Sequence, residues 1–238
     1  MPALPAAKTF LQLCQKLRLM AGISGTGPAG VAMNSNNEYA RVVDWIRAAD
    51  LEIQDAYDDW RFMWVDFAFQ TVAGKGDYTP AEVAAGLGAT VRPQRYDQDS
   101  FRYWLTSQGS AGEQFMTWRH YTWFRELWRF GTNRTQQGAP QEVTQAPNEN
   151  LLLAQIPNDV YTITGQFYRK AVTLEVDGDV PVYPAQYHEL PIWWALVKYA
   201  GFEEASSVYT HAQNMLNITL STMERRERPP VDFGSPLA

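Results

Sequence analysis

The 238-residue sequence predicts a mainly α-helical protein: an antiparallel helical bundle formed by N- and C-terminal helices, with an α+β, β-rich insertion between them. Three observations lead there. Apolar residues recur at helical spacing near both ends of the chain. Aromatic and β-branched runs fill the middle. Clusters of Gly and Pro separate the two textures. The expected segments are 1–61 for the first helices of the bundle, 62–180 for the insertion, 181–228 for the helices that complete the bundle, and 229–238 for a C-terminal tail.

Thr9 with Gln12 reads as a capping box, and Phe10, Leu13, Cys14, Leu17, Met20 and Ala21 then keep helical spacing until Gly22. From Ile23 to Asn34 the chain holds Gly25, Gly27, Pro28 and Gly30, the composition of a flexible loop. Ser35 with Glu38 opens a second helix, whose apolar face is Tyr39, Val42, Val43, Ile46, Ala49, Ile53, Tyr57 and Trp60. About 25 residues at ~1.5 Å each would make it nearly 40 Å long.

After Trp60 the run from Phe62 to Val72 predicts a strand, closed by a turn at Gly74-Lys-Gly76. Short helices are expected at Thr79 to Ala85 and, beyond Gln108-Gly109, at Ala111 to Phe130. Asn150 to Ala154, Tyr161 to Thr164 and Phe167 to Thr173 are short runs bounded by Pro157-Asn158-Asp159 and by Gly165, the pattern of a hairpin. A helix resumes after Val180-Pro-Val-Tyr-Pro184 with Leu190, Trp193, Trp194, Val197 and Ala200 on one side and Pro191 in its first turn. The last helix, Glu203 to Arg226, carries Ala205, Val208, Tyr209, Ala212, Met215, Leu216, Thr219 and Met223, and Pro229-Pro230 stops it.

Composition narrows the function. Apolar residues are 45% of the chain and charged residues 19%, with nine Trp, twelve Tyr and eleven Phe, enough for a substantial core. Twenty basic against 26 acidic residues leave a net charge of -6, which disfavours a protein that must hold nucleic acid by its phosphates. The lone Cys14 lies on an apolar helical stripe and reads as a buried core thiol. The N-terminus lacks the pattern of a signal peptide and no run approaches the ~20 apolar residues of a membrane span, so synthesis in a cytoplasm and no membrane partner are expected.

Several motifs have bland explanations. Gly25-Thr-Gly-Pro-Ala-Gly30 matches G-x-G-x-x-G, but a helix precedes it and no βαβ unit follows, so no cofactor is expected. His120, His188 and His211 lack metal-ligand spacing, and no metal is expected either. Asp55, Asp58 and Asp59 could in principle serve a hydrolase, yet neighbours at a helix end read better as a solvated acidic face, so no catalytic residue is assigned. Tyr121, Trp123, Phe124, Trp128 and Phe130, interleaved with Arg119, Arg125 and Arg129, have the make-up of a protein-protein interface, with sugar or base stacking the alternative. Arg225, Arg226 and Arg228 close the last helix, where cations complement its dipole.

Several stretches in order along the chain resemble tailed-bacteriophage head-to-tail adaptor proteins, also called connector or neck proteins. They are Phe10-Leu-Gln-Leu-Cys-Gln-Lys-Leu-Arg18, Gly22-Ile-Ser-Gly-Thr-Gly-Pro28, Glu38-Tyr-Ala-Arg-Val-Val-Asp-Trp-Ile46, Trp60-Arg-Phe-Met-Trp64, Arg134-Thr-Gln-Gln-Gly138, Tyr161-Thr-Ile-Thr-Gly-Gln-Phe-Tyr-Arg-Lys170, Val180-Pro-Val-Tyr-Pro-Ala-Gln-Tyr-His188 and Ala195-Leu-Val-Lys-Tyr-Ala200. The resemblance runs from Phe10 to about Arg226.

It implies a structural virion subunit with no catalysis, forming a ring, usually a dodecamer, beneath the portal protein. Double-stranded DNA would pass non-specifically through the ring, and a downstream neck or tail protein would dock on it. It also implies that the C-terminal segment reaches the portal, which places Arg225, Arg226, Arg228, Pro229, Pro230, Val231 and Phe233 in that contact. Tyr121, Trp123, Phe124, Trp128 and Phe130 are then candidates for the inter-subunit or tail interface. Another neck or tail-completion protein, a virion-associated hydrolase, and a glycan-binding module on the insertion are the competing readings.

Overall fold

The computed structural model describes residues 6–31, 38–88 and 90–229. Helices α1 (Phe10–Met20) and α2 (Glu38–Asp55) come first. Strands β1 (Trp64–Gln70) and β2 (Asp77–Tyr78), the short helix α3 (Pro80–Val83), then β3 (Pro93–Tyr96), β4 (Arg102–Leu105), β5 (Gln114–Phe115) and β6 (Thr117–Trp118) follow. Helix α4 (Tyr121–Trp128) precedes β7 (Gln137–Gly138), β8 (Glu142–Gln145), β9 (Leu151–Ala154), β10 (Ile156–Pro157) and β11 (Tyr161–Arg169), and helices α5 (Leu190–Phe202) and α6 (Ser206–Glu227) come last. The chain divides into two compact units, one of residues 1–63 with 171–238 and one of residues 64–170.

In the discontinuous unit, the Thr9 hydroxyl accepts from Gln12 N while the Gln12 side chain accepts from Thr9 N, so both halves of the α1 capping box form. Two more free amides of that helix start are met by the chain from the other end of the sequence: Phe10 N donates to Asp179 O at 2.7 Å and Leu11 N to Asp177 O at 3.2 Å. Helix α5 is apolar nearly all round and is the central element. It packs against α1, α2 and α6, burying Leu190, Ile192, Trp193, Ala195, Leu196 and Ala200. Helix α6 has α5 as its main neighbour and buries only Ala212, Leu216 and Met223.

The Gly-rich loop after α1 is not slack. Arg18 Nε donates to Ile23 O, Gln15 Nε2 to Pro28 O, Tyr39 Oη to Ser24 O, and Asp177 Oδ1 accepts from Val31 N. At Gly25 the φ of 98° is one that favours glycine, and an added Cβ would also displace the Tyr39 hydroxyl from its place beside the loop.

The unit of residues 64–170 is built on β11. Along one edge β11 pairs with β1; along the other it pairs with β4 and β3. Its inward positions Tyr161, Ile163, Gly165 and Phe167 alternate with outward ones, as a half-buried strand requires. Phe67 contacts the rings of Phe69, Tyr96, Phe101 and Phe167 to form an aromatic core. A four-stranded sheet, β2-β9-β8-β6, and the pair β10-β7 complete the unit.

The expected fold class is corrected. A mainly α bundle with an insertion is not what forms: the described residues are 43% helical and 19% strand, with six α-helices and three sheets. The physical reason lies in α6, whose stripe is too sparsely buried to be enclosed by other helices, and in a middle region whose sheets form a core of their own.

Three local expectations change with it. The second helix stops at Asp55, and the chain turns back so that Trp60 is fully buried with its Nε1 donating to Ile53 O. The Ala111 to Phe130 helix shrinks to α4, because the stretch before it alternates exposed Phe115 with buried Met116 and joins sheets. The 150–173 hairpin does not form: β9 pairs with β8 and β2, and β11 runs unbroken through Gly165. Gly165 is a packing glycine, not a turn, since a Cβ there would lie 2.9 Å from Phe67 Cζ. The Ser35 cap expected for the second helix lies outside the described residues.

Candidate protein-interaction surfaces

The C-terminal end of α6 divides its arginines. Arg225 and Arg226 are exposed in the last turn, and Arg225 Nε reaches back to Ser221 O at 3.3 Å. Arg228 closes the helix, its N–H donating to Glu224 O, and its guanidinium forms a two-point pair with Asp59 at 3.1 and 3.2 Å. It also lies over the Tyr57 ring, 4.3 Å from the centroid, while the Tyr57 hydroxyl donates to Glu224 Oε1. That hydrogen bond holds the Tyr57 proton above the usual tyrosine range.

Arg228 is thus committed to fastening α6 to the segment after α2, and Arg225 and Arg226 are the cations presented outward. Pro229 is half-buried beside them; Pro230, Val231 and Phe233 lie outside the described residues. Asp59 is engaged by Arg228 and Asp55 and Asp58 are exposed, so the acidic trio has no apolar pocket around it.

Helix α4 splits the aromatic cluster by depth. His120 caps it by accepting from Thr122 N, and Asn133 Nδ2 donates to Leu127 O at its far end. Phe124 is buried against Leu152 and Ala154, with Tyr121 and Trp128 half-buried around it. Trp128 Nε1 donates to Glu142 Oε2 at 2.7 Å, and Arg119 Nε donates to Glu142 Oε1 at 2.9 Å, so one carboxylate fixes both side chains. The outer side carries Trp123 at 45% exposure, Phe130 at 50% and Leu127. Arg119 stacks on Trp123 at 4.7 Å and Arg125 on Phe130 at 5.3 Å. Of the five aromatics, Trp123 and Phe130 can meet a partner directly; the other three hold the helix in place. Exposed aromatics ringed by Arg are the composition of an interface.

An open cleft of about 850 Å³ in the same unit is lined by Asp66, Asp97, Asp99, Arg102 and Gln166 among others. Asp66 accepts from Gln166 Nε2 at 2.7 Å, and Ser100 Oγ donates to Asp97 O and accepts from Gln166 N, so much of its lining is paired within the wall. Among the described residues no group of three or more His, Cys, Asp or Glu is placed to hold a metal ion.

One polar cluster escaped sequence reasoning. Asp50, on the buried side of α2, accepts from the Tyr183 hydroxyl at 2.9 Å and from Gln54 Nε2 at 2.7 Å. Burial pushes its carboxyl up to about 6. His188 accepts from Lys8 N at Nδ1 and bonds Tyr183 O through Nε2, an arrangement of neutral imidazole that burial favours by lowering its pKa. The cluster ties α2 to the approach to α5. The available signal was a carboxylate at the core-facing position between Ile46 and Ile53.

Charge is divided unevenly. The discontinuous unit holds sixteen acids and ten bases and so carries the whole net charge; the unit of 64–170 holds ten of each. No helix among the described residues is long and apolar enough to cross a membrane. No curated protein matches the chain. A family model described as SU10 adaptor protein matches residues 8–235, nearly the full length. The chain belongs to the SU10 adaptor protein family, a family of phage adaptor proteins.

Proposed function

We propose that the chain is the head-to-tail adaptor of a tailed phage: it assembles as a ring, dodecameric as in similar adaptors, beneath the portal protein and around the DNA exit channel, and gives the tail its docking surface. The observation that carries this reading is the family match over residues 8–235. The C-terminal segment from Glu224 onward meets the portal, with Arg225 and Arg226 as its outward cations and Pro229, Pro230, Val231 and Phe233 beyond them. Arg228 positions the segment through Asp59. The outer side of α4, centred on Trp123 and Phe130, meets a neighbouring subunit or the downstream neck or tail protein. A wall of net acidic character suits DNA passage, because few phosphates would be neutralised on it.

The test of the portal contact is a truncation. Removing residues 229–238 is expected to abolish retention on the portal while leaving the melting temperature unchanged; undiminished binding would refute the assignment of that segment.

A further inference from the structure

Helix α6 is anomalous for a surface helix. From Ala205 to Met223 it contains no Asp, Glu, Lys or Arg, nineteen residues in the unit that carries the entire net charge. Its exposed positions are Ser, Thr, Asn, Tyr, Ile and the single His211, poor or middling helix formers that water alone does not favour. Ile218 is 63% exposed and Tyr209 44%.

Several hydroxyls along the helix are already satisfied by its own backbone. Thr210 donates to Ser206 O, Thr219 to Met215 O, Ser221 to Asn217 O and Thr222 to Ile218 O, all between 2.6 and 3.0 Å. Gln213 Nε2 donates to Asn217 Oδ1. Removing water from this face would therefore leave those hydroxyls paired, and between Ala205 and Met223 it would bury no Asp, Glu, Lys or Arg.

We infer that the outer face of α6, around Asn214, Asn217, Ile218 and Ser221, is where a second copy of this chain packs; the inference rests on the ring proposed above. Charge decides the occupant. Two copies share the same acidic unit and repel wherever acids meet, so an uncharged face is where they close up at the least electrostatic cost. A basic partner would instead be drawn to the acidic surfaces that α6 lacks. Charge depletion at the centre of the patch is also the compositional mark of a buried interface.

The experiment uses the full chain seated on the portal of its phage. A benzophenone amino acid replacing Ile218 is irradiated in the assembled particle, and I218E and N214E are compared with V176E, an equally exposed position of the same unit. The expected result is a chain-to-chain crosslink, with retention of I218E and N214E lowered at least ~10-fold at unchanged melting temperature and V176E unaffected. A crosslink only to a different protein, or full rings from I218E, overturns the α6 assignment and leaves the adaptor reading intact. If the unaltered chain forms no ring on the portal, both fall.

Discussion

The Tyr183 hydroxyl donates to Asp50 Oδ1 at 2.9 Å, a fully buried contact that joins α2 to a segment 133 positions further along the chain. Because burial raises Asp50 from 3.8 to about 6, the folded state holds that proton more tightly than the unfolded chain does. Its contribution is therefore fully present below pH ~4 and lost as pH rises through ~6, a difference worth roughly 3 kcal/mol. His188 acts in the opposite sense: its lowered pKa costs stability as pH falls below its ordinary range. Denaturant unfolding of the chain and of D50N between pH 4 and 7 separates the two. The stability of the chain is expected to fall relative to D50N as pH rises across 4 to 6; parallel profiles would mean that folding does not raise the Asp50 pKa.

Gly165 faces the Phe67 ring, and Phe67 is hemmed in by four other aromatic rings, so a methyl group has nowhere to go. G165A is expected to destabilise by about 1–3 kcal/mol through overpacking. At Gly178 nothing lies within 4 Å of an added Cβ. G178A is expected to be neutral or mildly stabilising. Denaturant midpoints of the two variants check the contrast, and equal effects would contradict it.

Glu204 ends α5 with φ of 55°, the left-handed region, while Ala205 N bonds back to Ala200 O. That is a position where glycine is at ease and glutamate is strained. E204G is expected to raise stability by about 0.5–1 kcal/mol, and E204A to give no such gain. A thermal melt that ranks alanine with glycine would refute the strain argument.

Depth on α4 separates fold from binding. F124A should cost about 3–5 kcal/mol, since the ring is 1% exposed in its cluster. W123A and F130A should change stability by far less, because both rings are half in water, yet lower association with the partner seated there. Melting curves and pull-downs on the same variants read the two effects. Full binding by the W123A/F130A double variant would remove α4 from the contact.

What was legible in the sequence follows from how local each signal is. The Thr9–Gln12 box and the apolar stripe placed α1 correctly because both are made within a few residues. The stop at the end of α6 was legible for the same reason. The stripe itself overstated enclosure, since Val208 and Met215 lie on it but are only half-buried and Tyr209 is exposed. Gly165 was read as a turn because composition cannot distinguish a glycine that bends the chain from one that makes room for Phe67. The Asp50 cluster and the Arg228–Asp59 clasp join residues more than a hundred positions apart, beyond any periodicity. The aromatics of α4 were visible as a group, but only the fold sorts Phe124 inward from Trp123 and Phe130 outward.

The most direct test of the account is electron microscopy of the purified full chain mixed with the portal complex of its phage. A ring stacked coaxially beneath the portal, with the C-terminal segment of each subunit against it, is the expected result. Attachment only to tail components, or to neither partner, would contradict it.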